Sequence, residues 1–447
     1  MSNKKFTRGG IHQYSDFVNL FTHSSNASSR RYVLTTAFVV LLSLTAMLAS
    51  CKQATGGNEN NHINEDSPAP MLITYTVTFD KSADDATGTM ASQTFIAGVA
   101  QNLAENAFTR TGYVFLGWAK SADGEKKYDN KASITVSTNI TLYAKWIASK
   151  EITQTDIAEL DLSEVAGEYL LKISGAWDNA DTANTLHVLG EKIKAAGTSA
   201  QITLDMDGLT GIASIGDFSN NSTLYAVILP SGTETITEIA FYGCENLSTI
   251  TIPNSVKTIC SNAFALTAIT SLVIPASVEK VNDPADSIIR GCTKLTSLTV
   301  DEANSYYRSK DNCIYTKDNT TFVCALPALT KLPDFPAETT TIGKASFQNC
   351  SLQGEIVLPD SITKMENDSF SDNTEMTSIV LPANLNYLGA YSFASCSKLT
   401  KIDFNGNTSG WKCNGEEVTE DLSDAENNAT LFAKWSGKYR QESITRE

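Results

Sequence analysis

Covalent chemistry needs nucleophiles, proton carriers or ligands at workable spacings, and this sequence is short of them. Its 447 residues hold four histidines, His12, His23, His62 and His187. The first two precede a candidate cleavage point and the third lies in a polar stretch, so His187 stands alone in the folded part. No His triad, Cys–His dyad or His-rich metal site can be assembled from that. Ser395 and Lys398 have the SxxK spacing of a serine nucleophile and a lysine base, but a Ser-rich chain produces such a match by chance, and this one falls inside a repeat. "DMDG" at 205–208 lacks the remaining ligands of a calcium loop. A glycosidase needs only two carboxylates, and an acid-rich chain always offers a pair, yet no spacing singles one out. The expectation is no enzyme: no catalytic residues, no metal and no cofactor.

Cysteine is the remaining reactive type, and the nine cysteines fall into groups. Cys244, Cys292, Cys350 and Cys396 each sit three residues after a Phe or Ile, which reads as a small buried hydrophobe. Cys313 and Cys324 bracket "IYTKDNTTFV", a natural hairpin. In an exported protein a disulfide there is compatible with the spacing, as are two free thiols. Cys51 ends "LASC" after the uncharged run "YVLTTAFVVLLSLTAMLA" (32–49), itself preceded by Arg30 and Arg31. Eighteen apolar residues can just span a bilayer, but the run stops at a small-small-Cys junction that resembles a bacterial lipobox. That resemblance implies signal-peptide cleavage before Cys51 and acylation of its thiol. The stretch before Arg30 is long for a signal n-region. The following "KQATGGNENNHINEDSPAP" cannot bury a core and reads as a tether, with a typical span of roughly 25 Å.

Charge narrows the partners. Lys and Arg number 34 against 50 Asp and Glu, and removing residues 1–50 leaves 29 against 49. Nucleic acid is disfavoured, because phosphate binding needs a basic footprint.

The elements that would have to position a site are mostly strands. "ITYTVTFD" (73–80) alternates apolar and polar residues with the period of a half-buried strand. "GYVFLGW" (112–118) and "ITVSTNITLYAKW" (134–146) are aromatic and β-branched, separated by the turn-like "SADGEKKYDN". These phrases, in this order, resemble the internalin-type B-repeat, also called the Listeria–Bacteroides repeat. The resemblance implies a small β-grasp fold used in bacterial surface proteins as a spacer or interaction module. Trp118 and Trp146 read as core aromatics, with a ligand platform as the alternative.

Farther on, one phrase recurs. Counting from Phe241 gives Cys244, Leu247, Ile250, Ile252, Pro253 and Val256, and the same offsets recur from Phe218, Phe347, Phe370 and Phe393. The unit at Phe264 is one residue short, and another replaces Phe with Ile289. Steps of 23 residues run Phe218 to Phe241 to Phe264 and Phe347 to Phe370 to Phe393. Such a period means stacked turns, each burying an apolar edge on its neighbour. Within each turn, positions nine and eleven point inward by strand alternation, and a Pro ends the strand. The position between them points outward: Ile228, Thr251, Val273, Thr299, Val357, Val380 and Asp403. β-branched residues suit strands anywhere, and the functional alternative is a weakly apolar ladder for protein binding.

Phrases such as "AFYGCENLSTITIPNSV" and "SFQNCSLQGEIVLPDSI" resemble the BspA-type leucine-rich repeat of bacterial surface antigens. The expected architecture is mainly β with minor α, a β-grasp-like module followed by a capped leucine-rich-repeat solenoid with a parallel sheet. Its parts are a signal peptide (1–50), a lipidated tether (51–72), the module (73–146), a linker and N-terminal cap (147–206), repeats (207–405) with a hairpin insertion at 301–335, and a C-terminal cap and tail (406–447). The N-terminal cap reads strand, helix, strand, with Leu186, Leu189 and Ile193 on one helical stripe. "ATLFAKW" near the end echoes "ITLYAKW" but lacks the opening strand, and reads as part of the C-terminal cap. The resemblance implies a lipid-anchored protein of the bacterial envelope, surface exposed on the outer membrane. It also implies adhesion to host extracellular-matrix proteins or to other bacterial surface proteins. An envelope-internal scaffold holding a bacterial partner is the alternative.

Overall fold

The computed structural model describes residues 72–177, 182–283, 286–434 and 436–446. Cys51 and the segments expected as signal peptide (1–50) and, for the most part, tether (51–72) lie outside them. The chain divides into two compact units, one ending at Trp146 and one beginning at Ile147.

The first unit is a mixed sheet. β1 (Thr74–Asp80) lies between antiparallel β2 (Gln93–Ile96) and the parallel start of β7 (Ile140–Ile152), while β4 (Tyr113–Ala119) pairs with β7 and with β5 (Lys126–Tyr128). No helix lies between β2 and β4 among the described residues. The crossover carries only β3 (Gln101–Asn102), paired with β6 (Ser133–Ile134), and side-chain bonds secure it. Gln93 donates Nε2–H to Asn102 O at 2.7 Å, and its Oε1 accepts from Ala104 N at 2.8 Å. Trp118, fully buried, has the rings of Phe79 and Phe115 each 4.8 Å away. Trp146 is half-buried and donates Nε1–H to Lys81 O at 2.8 Å. Both are held in the core and its margin, which leaves no flat aromatic platform. Gly117, at φ +147°, is the glycine this packing requires, because a Cβ there would stand 2.6 Å from Tyr128 O.

In the second unit most turns contribute one strand to a first row and another, no longer than the first, to a second row. The first row is β8 (Gly167–Ile173), β10 (Ala200–Asp205), β13 (Leu224–Ile228), β15 (Thr249–Thr251), β17 (Ser271–Ile274) and β19 (Ser297–Val300). After an interruption it resumes with β24 (Gly354–Val357), β26 (Met376–Val380) and β28 (Lys401–Asp403). The second row is β12 (Ser214–Ile215), β14 (Thr235–Ile236), β16 (Thr258–Cys260), β18 (Lys280–Asp283), β22 (Thr321–Cys324), β23 (Thr341–Ile342), β25 (Lys364–Met365) and β27 (Tyr387–Leu388). Where neighbours in a row pair, the pairing is parallel and in step with the period: Val227 faces Ile250, and Ile356 faces Ile379, which faces Ile402; β15 and β17, and β18 and β22, fall in separate sheets. The short β9 (Gly175–Ala176) and β11 (Leu209–Thr210) form a parallel pair of their own.

Both ends of the rows are covered. At the start, residues 148–152 of β7, expected as linker, pair parallel with β8, and helix α1 (Thr182–Lys194) sets Leu186, Leu189 and Ile193 into the core. At the finish, "ATLF" is helical, contrary to its strand-like echo. It belongs to α2 (Ala425–Phe432), capped by Asp424 Oδ1, which accepts from Glu426 N and Asn427 N. Asn428 of α2, buried, donates Nδ2–H to Ile402 O at 2.9 Å. β31 (Ile444–Arg446) runs antiparallel to β27 and to β29 (Trp411–Cys413), which is hairpinned with β30 (Glu416–Glu417).

The repeated Phe residues stack on one another. Phe218, Phe241 and Phe264 have centroids 5.5 and 6.1 Å apart, and Phe322, Phe347, Phe370 and Phe393 continue at 4.4, 4.9 and 6.4 Å. The gap falls at Ile289. Except after Phe322, where it is Ala325, position three after each Phe does more than fill space: it donates to backbone carbonyls. Cys244 Sγ donates to Phe218 O and Cys292 Sγ to Phe264 O, both at 3.0 Å, and Cys396 Sγ to Phe370 O at 3.2 Å. Asn221, Thr267 and Asn373 do the same with stronger donors. The expected small hydrophobe is therefore a buried donor linking turns, which answers the need of buried carbonyls for partners.

Candidate binding surface of the solenoid

The outward ladder is less uniform than its sequence. Val273 and Val357 are 55% and 58% exposed, while Thr251, Thr299 and Val380 are half-buried. Ile228 must be removed from the ladder, since it is only 5% exposed. It lies in a closed part of the face, where its neighbours Thr203, Asp205 and Ala226 are buried with it. Burial is also what raises the Asp205 carboxyl above its ordinary range.

The ladder is also cut in two. Between β19 and β24 the insertion sends β20 (Tyr307–Lys310) and β21 (Cys313–Thr316) into the second row, β20 antiparallel to β21 and β21 antiparallel to β22. Its side chains finish the β19 edge: Asn312 Oδ1 accepts from Leu298 N at 3.3 Å and Ser309 Oγ from Val300 N at 3.1 Å. The chain then crosses "LTKLPDFPA" (329–337), and Leu332, Phe335 and Pro336 line an open cleft of about 540 Å³ beside Val357. Sequence reasoning missed this cleft, although the close-set Pro333 and Pro336 were a visible signal that no strand could run there.

Cys313 and Cys324 are free buried thiols in the structure. The hairpin register explains this, because an irregularity between Ile314 and Tyr315 places Ile314 opposite Cys324 and shifts Cys313 off the pair. Burial pushes both thiols up to about 12. Lys398 Nζ is held by both carboxylate oxygens of Glu375, at 2.8 and 2.6 Å, and Ser395 is an exposed turn residue. The SxxK spacing therefore builds no dyad. Among the described residues no group of three His, Cys, Asp or Glu side chains is placed to hold a metal, and no helix is long and apolar enough to cross a membrane.

The turn side carries one titratable feature. Asp368, half-buried at a left-handed φ of 57°, has its carboxyl raised to about 6, first by burial and then by Asp286 and Asp372, against a lowering by Arg440. A raised carboxyl binds its proton more tightly in the folded state, so its contribution is fully present below about pH 4 and is lost as the pH rises through about 6. Asp368→Asn keeps a residue that accepts a left-handed conformation and removes the penalty. The expected gain at pH 7.5 is about 1 kcal/mol after solvent screening, with no gain at pH 3.5. Thermal melts at both values check it, and a gain at pH 3.5 equal to that at 7.5 would refute the electrostatic cause.

Residues 212–334 and 318–413 match the model of the BspA type leucine rich repeat region, in six copies. Residues 212–413 are therefore BspA-type leucine-rich repeats. Residues 75–145 match the Listeria-Bacteroides repeat domain. Neither is an enzyme family. No curated protein matches. Among solved structures, a leucine-rich repeat protein from Eubacterium ventriosum is similar at 18% identity over 51% of this chain, with a TM-score of 0.40. The chain spans 65% of that protein's length. The pneumococcal vaccine antigen PcpA is similar at 19% identity over 60% of this chain and 69% of its own, TM-score 0.39. A leucine rich cell surface protein from Faecalibacterium prausnitzii is similar at 17% over 61% and 86%, TM-score 0.35. The BspA-type solenoid and the Listeria-Bacteroides module are both repeats of the bacterial surface type.

Proposed function

We propose that the protein is a lipid-anchored bacterial surface protein whose BspA-type solenoid binds other proteins, acting as an adhesin for host extracellular matrix or for neighbouring cells. Acylated Cys51 holds the chain at the outer membrane, and the polar tether and the Listeria-Bacteroides module raise the solenoid away from the lipid. The observation that carries the reading is exposure on the ladder face: Val273 and Val357, on either side of the break, are more than half exposed on a stacked scaffold. Repeat proteins expose such faces as extended recognition surfaces.

The test is saturable binding of the soluble chain from residue 72 onward to immobilised matrix proteins and to intact cells, beside the module alone (residues 72–146). Binding by the long chain only is expected, and Val273→Asp with Val357→Asp should weaken it about tenfold. Equal binding by the module alone would take recognition off the repeats. Absence of binding by either would refute the adhesin reading.

A further inference from the structure

The break in the first row leaves one strand edge unfinished. Gly354 N donates to Glu375 O and Leu358 N to Val380 O, so alternate amides of β24 face β26. In a parallel ladder a strand's backbone groups alternate between its two sides, and Gln353, Glu355 and Val357 face the other way. There Gln353 N reaches Thr330 O at 3.2 Å, the one backbone bond described between these two segments. Beyond Thr330 come Pro333 and Pro336, which have no N–H and cannot run as a ladder strand. β24 ends its three-stranded sheet, and the 540 Å³ cleft opens at its last residue, Val357. The opposite edge, at β19, is closed by Asn312 and Ser309.

We infer that the β24 edge is a strand-addition site for an extended, basic segment of a partner polypeptide. This rests on the reading that the solenoid binds proteins. Only an extended backbone offers donors and acceptors in step with Glu355 and Val357. An apolar side chain of the added strand meets Val357, Phe335 and Leu332. Charge selects basic flanks: Asp334, Glu338, Glu355 and Asp360 are exposed around the cleft, against Lys331 and Lys310, whose Nζ is bound to Asp334 O at 2.8 Å. Unpaired edges are ordinarily blunted by charge or proline; here the prolines lie across the cleft and the edge itself keeps its amides.

The probe is a fluorescent nonapeptide alternating Val with Lys and Thr, titrated into the soluble chain. Its controls are the same peptide with a central proline, which keeps the charge and breaks the backbone match, and a version with Glu for every Lys. Saturable binding of the first is expected, at least tenfold weaker for either control. Glu355→Pro removes an edge amide that takes no part in the β24–β26 ladder and should weaken the first peptide at least tenfold with an unchanged melting curve. Hydrogen exchange at Glu355 and Val357 should slow on binding, which gives a readout without mutation. Equal affinity for the proline peptide, equal affinity in Glu355→Pro, or no binding at all would each overturn the site. Matrix or cell binding that persists in Glu355→Pro would overturn the site as the recognition surface and leave the adhesin reading standing.

Discussion

Phe347→Ala should lower the thermal midpoint of the solenoid by about 6–20 °C. Phe347 is fully buried between Phe322, at 4.4 Å and 10° between planes, and Phe370, at 4.9 Å and 15°, with Phe335 edge-on at 6.3 Å. Truncation removes the ring and leaves a cavity that flat, stacked neighbours cannot fill, a loss of about 3–5 kcal/mol. A domain of this size moves by about 2–4 °C per kcal/mol. The damage should begin locally, because each turn contacts only its neighbours: hydrogen exchange should quicken around β23 to β25 before the first turns respond. Phe347→Leu should cost much less, since the equivalent position elsewhere holds Ile289, also fully buried. Calorimetry on the three proteins checks the order. A loss under about 1 kcal/mol in Phe347→Ala would show that the stack is incidental to stability.

The stack was legible because it is periodic. Each Phe, each inward Ile or Leu and each strand-ending Pro meets a copy of itself one turn away, so one packing solution repeats and leaves the 23-residue step visible. What broke the period was harder to read. The insertion at 301–335 could be outlined as a hairpin, but that β20 to β22 join the second row, while 329–337 spans the gap in the first, depends on contacts far apart in sequence. Exposure was equally hidden: Ile228 and Val357 hold the same repeat position, yet one is covered and the other open. "ATLFAKW" shows how weak a local echo is, since its first residues are the last turns of a helix capped by Asp424. The Cys313–Cys324 spacing showed a hairpin and could not show the one-residue irregularity that separates the thiols. The cleft is the part of the candidate surface that two prolines might have announced by chemistry alone, since both remove the amide a continuing strand would need.

The donor position is where the sequence signal was read only in part, since its cysteines are buried core residues as expected and donors besides, and it supplies the second large effect. Asn221, Thr267 and Asn373 share a place with four cysteines, and what the three types have in common is a short side chain that can donate. Asn373 is fully buried and donates Nδ2–H to Phe347 O and Phe370 O, both at 2.8 Å, so one amide satisfies carbonyls of two successive turns. Asn373→Ala removes the amide donor from both, leaving Phe347 O with Cys350 N at 3.3 Å and Phe370 O with the weaker Cys396 thiol at 3.2 Å, at a cost of about 1–3 kcal/mol for the two bonds. Asn373→Cys should recover about half of that. A thiol in this place reaches the preceding Phe carbonyl, as Cys396 reaches Phe370 O at 3.2 Å, and it removes Asn373 Oδ1, which has no partner of its own. Urea midpoints should therefore rank native, then Cys, then Ala. Equal losses for Cys and Ala would mean that only volume matters at the position. The predicted ranking would mean that the turns on which the exposed ladder and the β24 edge depend are held in register by buried polar bonds as well as by apolar packing.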